Sequence, residues 1–284
     1  MRSNHQAASP ETVNMMWSGP LGPMERMCIE SFVRHGHPVN LWAYDDLDRV
    51  PAGVTLCDAG SIVMRDSMND FQNPQNFSDY FRYALLARRG GWWMDCDVYC
   101  LRPLVFPTQL VLALAGTDPE LYYAGMLRVP PASPVMTECL HYISTIDTKT
   151  IDFQHIGPEL LTSVAKAHGT KGCVYYGRVF DPVTCLNISR LTDPTYKPDL
   201  SGSFTIHLFG AAWAGGPQSQ HQTTRIHKDG TYPAGCVYER LKAGLSLPPI
   251  PPAVPIPPPR LGPRRYSLTG VSDWNDRYKL GGAR

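Results

Sequence analysis

Phe77-Ser78-Asp79-Tyr80-Phe81-Arg82-Tyr83-Ala84-Leu85-Leu86-Ala87-Arg88-Arg89-Gly90-Gly91-Trp92-Trp93-Met94-Asp95-Cys96-Asp97 is the stretch on which the fold turns. It reads as a helix, a glycine stop, a short apolar strand and two carboxylates one residue apart. The helix is expected to start near Asn76, a good N-cap, with Asp79 in its first turn. Arg88 and Arg89 suit its negative end, and Gly90 can close it. In an extended backbone the side chains at i and i+2 share one side. Asp95 and Asp97 are therefore expected to face together, with Trp93 on their side and Cys96 turned away. Two carboxylates about 4 Å apart repel by roughly 4 kcal/mol at an effective dielectric near 20. Placed at the end of a buried strand, they predict a cation. Hard oxygen ligands in small number point to Mg²⁺ or Mn²⁺, with open positions for a phosphate-bearing substrate. The alternative is a solvated turn, against which the apolar lead-in Trp92-Trp93-Met94 argues.

Outward from this stretch the pattern alternates between strand and helix, which favours an α/β sandwich. Strands are expected over 12–17, 39–44, 54–58, 98–104, 110–115, 122–129 and 204–209, and helices over 24–35, 133–146 and 157–168. A Gly/Ala-rich loop holding Trp213 follows the last strand. Between 248 and 263 the composition changes to nearly alternating Pro and small apolar residues, which reads as an extended, solvated polyproline spacer. The expected organisation is a disordered tail over 1–11, one domain over 12–247, and a Pro-rich, disordered tail over 248–284.

The chain has 284 residues, 43% of them apolar and 18% charged, with a net charge of +1. That is enough apolar material for a large core and gives no electrostatic case for nucleic acid or an acidic membrane. The polar N-terminus lacks the apolar centre of a signal peptide, and no apolar run approaches the ~20 residues of a spanning helix. A cytoplasmic protein with at most peripheral membrane contact is expected. The eight cysteines are scattered without a Cys-x-x-Cys pair, so buried free thiols are expected.

Ser78-Asp79-x-x-Arg82-Tyr83-x-Leu85-Leu86, followed by Gly90-Gly91 and Asp95-x-Asp97, resembles glycosyltransferase family 32, with its DXD sugar-binding region. Trp17-Ser18-Gly19, Trp42-x-Tyr44-Asp45, Gly157-Pro158 and His207 before Trp213 fall where that family has such features, so the resemblance spans residues 13–213. It implies a GT-A-like three-layer α/β/α sandwich. It also implies a metal-dependent, retaining transfer of a hexosyl unit from a UDP- or GDP-linked donor to a glycan, lipid-linked or other hydroxyl acceptor, as in bacterial polysaccharide biosynthesis. By the same resemblance the leaving phosphate helps deprotonate the acceptor.

The resemblance also distributes roles. Asp97 holds the metal directly, while Asp95 contacts ribose, metal or both. Asp79 meets sugar hydroxyls, and Arg82 the donor sugar or diphosphate; a local ion pair between these two is the plainer reading. His207 completes the metal shell, or is a core histidine. Trp213 reaches the phosphate. Trp17, Ser18 and Tyr44 lie in strand-end loops that embrace the nucleobase, at the edge where open α/β sheets bind ligands. Trp93 is either an aromatic wall beside the nucleotide or core. Two rival functions use the same residues: a nucleotidyl- or phosphotransferase, and a non-catalytic protein that presents the Pro-rich tail to a protein partner. The first generally needs a Gly-rich phosphate loop or a third acidic cluster, and neither is evident.

Overall fold

The computed structural model describes residues 11–116, 118, 120–152, 154–214 and 225–244. Nine strands are formed among them: β1 (Val13–Met16), β2 (Val39–Ala43), β3 (Val54–Asp58), β4 (Gly91–Met94), β5 (Val98–Cys100), β6 (Val111–Leu114), β7 (Tyr122–Val129), β8 (Val174–Tyr175) and β9 (Thr205–His207). Seven build one mixed sheet in the order β3-β2-β1-β4-β7-β6-β8, and β5 pairs with β9 in a separate antiparallel ribbon. The β3-β2-β1-β4 half is parallel, whereas β7 runs antiparallel to both β4 and β6.

Strand alternation sorts the side chains into two apolar layers. Val13, Met15, Leu41, Trp92 and Met94 pack with Ile29 and Phe32 of α1 (Pro23–Arg34) and with Phe180 of the short α5 (Gly177–Phe180). Trp42, Trp93, Leu112 and Leu127 face the other way. They meet Phe77, Phe81 and Leu85 of α2 (Pro74–Arg89), Met136 and Cys139 of α3 (Pro134–Ile143), and Leu161 and Ala165 of α4 (Leu160–His168). Fully burying one such Phe or Leu contributes about 1.5–3 kcal/mol, so the two faces hold the sandwich together. A third cluster joins Met24 and Cys28 of α1 to Ile206, Trp213 and α6 (Val237–Lys242). The three-layer α/β/α sandwich is the observed architecture.

Three local expectations need correction. α2 begins at Pro74, and its N-cap is Asn73, whose side chain accepts from the Asn76 backbone N–H at 2.9 Å. Pro at the first helical position costs no hydrogen bond there, which moves the start upstream of Asn76. The strand expected over 98–104 is the three-residue β5, because Leu101 leaves the ribbon to donate to Phe204. Most consequentially, β4 stops at Met94. Val98 donates back to the Asp95 carbonyl at 3.0 Å, so residues 95–98 form a turn rather than extended chain. Trp92 does face the layer opposite Trp93, packed on Phe106 and Phe180.

All eight cysteines are free thiols. Among the described residues no helix is long and apolar enough to cross a membrane. The tail expected over 248–284 and all of that expected over 1–11 except Glu11 lie outside the described residues; Glu11 pairs with Arg128.

Candidate active site

The site lies at the C-terminal edge of the parallel half-sheet, where β1, β2 and β4 all end. Because residues 95–98 turn, Asp95 and Asp97 do not share partners as an extended strand would have dictated. Asp95 turns toward α2. Its Oδ1 accepts from Arg82 Nη2 at 2.9 Å and from the Trp93 indole N–H at 2.8 Å. Arg82 also pairs with Asp79, one turn earlier on the helix. The guanidinium lies 4.9 Å from the Trp93 ring centre, within cation–π range.

Two glycines admit this cluster. A Cβ at Gly157 would run into Asp79 Oδ2, and one at Gly125 would run into Asp95 Oδ2. Gly157 belongs to a single π-type turn (His155–Glu159) that leads into α4, and the carbonyls of Ile156 and Gly157 accept from the Tyr83 hydroxyl on α2. Burial raises the Asp79 pKa to about 6 and the Asp95 charge adds to this, both against the lowering effect of Arg82. Burial opposes the charge on Arg82, but Asp95 and Asp79 overcome it and raise the pKa. Arg82 thus stays ionised beneath two acids.

Asp97 turns toward the other end of the chain. Its Oδ1 lies 3.1 Å from His207 Nε2 on β9, and its Oδ2 accepts from the Gly210 backbone N–H at 2.7 Å. The β5–β9 ribbon enforces the first contact, since Val98 pairs with His207 and Leu208 donates to the Asp97 carbonyl. Tyr123 on β7 fixes the imidazole from behind through a 2.9 Å hydrogen bond to Nδ1. Burial alone would raise the Asp97 pKa, but His207, the Gly210 N–H and Lys228 prevail and lower it to about 2. Burial likewise works to lower His207, and Asp97 outweighs it, so the imidazole pKa is raised.

No group of three His, Cys, Asp or Glu side chains poised to hold a metal exists among the described residues. The donor set nevertheless fits a hard divalent cation. Two ligands at about 2.1 Å on adjacent corners of an octahedron are about 3 Å apart, and Asp97 Oδ1 and His207 Nε2 are 3.1 Å apart. Asp95 Oδ1 already takes two donors, and its Oδ2 packs closely against Gly125.

The remaining expected residues divide. Trp17 and Ser18 follow β1 on the same edge; Ser18 is exposed, while the Trp17 indole N–H donates to the Pro20 carbonyl at 3.1 Å. The Met16 carbonyl takes the Cys96 thiol, which ties that loop to the acidic turn. Tyr44 follows β2, packs on Phe77 and Phe81, and donates its hydroxyl to Val63. Trp93 forms the floor beneath Asp95 and is fully buried. Trp213 is not brought to the site: it is buried against Tyr238, with its indole N–H on the Leu208 carbonyl. The His-x5-Trp spacing after His207 did not reveal that the short 3-10 turn Gly210–Ala212 leads the indole inward.

Sequence reading missed Tyr123, Gly125, Lys228 and Asp181. Gly125 had a signal, since a glycine inside a strand marks close approach of another group. Asp181 is buried with neither carboxylate oxygen hydrogen-bonded, and burial raises its pKa to about 7 in spite of His207.

Residues 43–114 match the family model described as a glycosyltransferase sugar-binding region containing DXD motif. That span holds Tyr44, Asp79, Arg82, Trp93, Asp95 and Asp97. No curated protein matches the chain. Among solved structures, PaToxG glycosyltransferase aligns at 13% identity with a TM-score of 0.41, over 56% of this chain and 68% of its own. The glycosyltransferase GlyE of Streptococcus pneumoniae TIGR4 aligns at 16% identity with a TM-score of 0.35, over 59% of this chain and 45% of its own. Over residues 43–114, then, the chain is similar to the sugar-binding region of DXD glycosyltransferases.

Proposed function

We propose that the protein is a metal-dependent glycosyltransferase that moves a sugar from a UDP- or GDP-linked donor to a hydroxyl acceptor with retention of configuration, on a GT-A-like scaffold. The observation that supports it most is where Asp97 stands. It belongs to the matched sugar-binding segment, and its carboxylate faces His207 at a spacing suited to one hard cation. Asp97 and His207, with Asp95, would hold Mn²⁺ or Mg²⁺. Such a cation neutralises charge on the departing diphosphate without a proton donor.

The chain's own residues supply the rest. Arg82 pairs with Asp95 and Asp79 and holds them in place, so the carboxylates need not reorganise when substrate arrives. Tyr123 holds the His207 ring in one orientation. The loop after β1, with Trp17 and the exposed Ser18, borders the same edge and offers a wall for the nucleoside.

The test is incubation of the purified protein with Mn²⁺ and a panel of UDP- and GDP-sugars. Slow release of free sugar, abolished by Asp97→Asn and by chelation, supports the reading. Release of nucleotide or phosphate without free or transferred sugar contradicts it. The anomeric form of the first transferred product, read by NMR, decides retention.

A further inference from the structure

We propose that Lys228 is a further donor-binding residue, which takes the terminal phosphate of the nucleoside diphosphate and is held ready by the buried carboxylate of Glu25. This rests on the glycosyltransferase reading and adds to it a residue 131 positions beyond Asp97, outside the matched segment.

The geometry starts at Gly210. A Cβ built there would lie 2.9 Å from Lys228 Nζ and 3.2 Å from Asp97 Oδ2, so the ammonium and the carboxylate flank one point of the backbone. The Gly210 N–H donates to that same oxygen. Lys228 also contributes to the low pKa of Asp97. Its backbone is anchored, since the Tyr238 hydroxyl on α6 donates to the Lys228 carbonyl at 2.5 Å.

The ammonium itself is held by Glu25 Oε1 at 2.8 Å. The Glu25 side chain is 3% exposed and that of Lys228 32%. A buried carboxylate in the first turn of α1 thus fixes a cation whose other side faces solvent beside Asp97. An ammonium has three donors; one is given to Glu25, and two remain for phosphate oxygens.

Arg82 is unsuited to that role. It is 4% exposed, and both of its terminal nitrogens are given to Asp79 and Asp95. The resemblance gave Arg82 the donor sugar or diphosphate; Arg82 lies buried between Asp79 and Asp95, while Lys228 stands beside Asp97.

In the transfer, the bond from the sugar anomeric carbon to the terminal phosphate oxygen breaks, and its electron pair stays on that oxygen. A bond from the acceptor oxygen to the anomeric carbon forms, and the acceptor proton passes to the departing phosphate. Lys228 donates hydrogen bonds to the phosphate as its charge grows.

The test is calorimetric titration of the full chain with Mn²⁺ present, using UDP, GDP, UMP and GMP as probes. Lys228→Met alone strands Glu25, so the principal variant is the double substitution Glu25→Gln/Lys228→Met, which leaves no buried charge behind. Diphosphate affinity is expected to fall about tenfold or more, the scale of a lost charge-assisted contact, with monophosphate affinity within about twofold of wild type. Lys228→Arg is expected to restore the preference for diphosphate. If the double variant binds diphosphate as wild type does, or loses both ligand classes equally, the inference is overturned while the glycosyltransferase reading stands. If wild type binds no diphosphate at all, that reading falls and the inference with it.

Discussion

Asp95 and Asp97 are one residue apart, yet they belong to two differently built parts of the molecule. The Asp95 part comprises Asp79, Arg82 and Trp93, all within a single helix-turn-strand unit, and its guanidinium is 4% exposed. The Asp97 part draws on β9, the Gly210 backbone, β7 and Lys228, and its carboxylate is 21% exposed. The first is a local cluster whose ions compensate one another around the buried Arg82, with the Asp95 side chain itself 33% exposed. The second is a junction assembled by tertiary contacts, with His207 6% exposed. A buried ion network makes removal of one member costly, because the others are stranded without water. Loss of a member of the junction is expected to register in ligand binding as well as in stability. One motif thus holds a structural anchor and a working surface.

The largest expected effect tests that division on the Asp95 side. Arg82→Met strands two acids and is expected to lower unfolding stability by about 3–5 kcal/mol, measured by urea unfolding. Asp97→Asn is expected to cost less, about 1–3 kcal/mol, while abolishing donor hydrolysis. Equal stability losses for the two would break the comparison.

Next in size is the acid behind His207. Unfolded, Asp181 loses its proton near pH 4; folded, it does so near 7. Between those values the unfolded chain binds fewer protons, so stability falls as pH rises and levels off above about 7. Asp181→Asn is therefore expected to be nearly neutral at pH 4 and to stabilise by about 2–4 kcal/mol at pH 8, read from unfolding curves at both values. A gain that does not vary with pH would show that this carboxyl is not held protonated by its surroundings.

Gly125→Ala would press a methyl against Asp95 Oδ2. The expected outcome is a stability loss of about 1–3 kcal/mol from overpacking and a hundredfold drop in turnover, on the order of what a 1 Å misplacement costs. The smallest effect is that of Tyr123→Phe, which removes the hydroxyl from His207 Nδ1. About 1 kcal/mol of stability and several-fold weaker Mn²⁺ binding are expected, with Kd measured by titration.

The same division explains what could be read from the sequence. α2, the glycine stop and β4 follow from apolar spacing and from Gly90, whose φ of 63° suits glycine, so the fold class and the Asp95 cluster were accessible. The ion pair of Asp79 with Arg82 is a helical i, i+3 contact, legible from spacing alone. The turn at 95–98 was not, because two carboxylates around a cysteine are compatible with either strand or turn. Which of them meets His207 depends on β5 pairing with β9, 110 residues away. Lys228 approaches Asp97 only because α6 and α1 pack together, a contact that no local pattern encodes. The inward turn of Trp213 has the same origin.

The most direct test of the central claim is pulsed electron paramagnetic resonance on Mn²⁺ added to the full chain with UDP or GDP. The account predicts ³¹P coupling from the diphosphate together with ¹⁴N coupling from a directly bound imidazole, the ¹⁴N coupling lost both in Asp97→Asn and in His207→Ala. Spectra of wild type identical to those of Mn²⁺ and nucleotide without protein would contradict it.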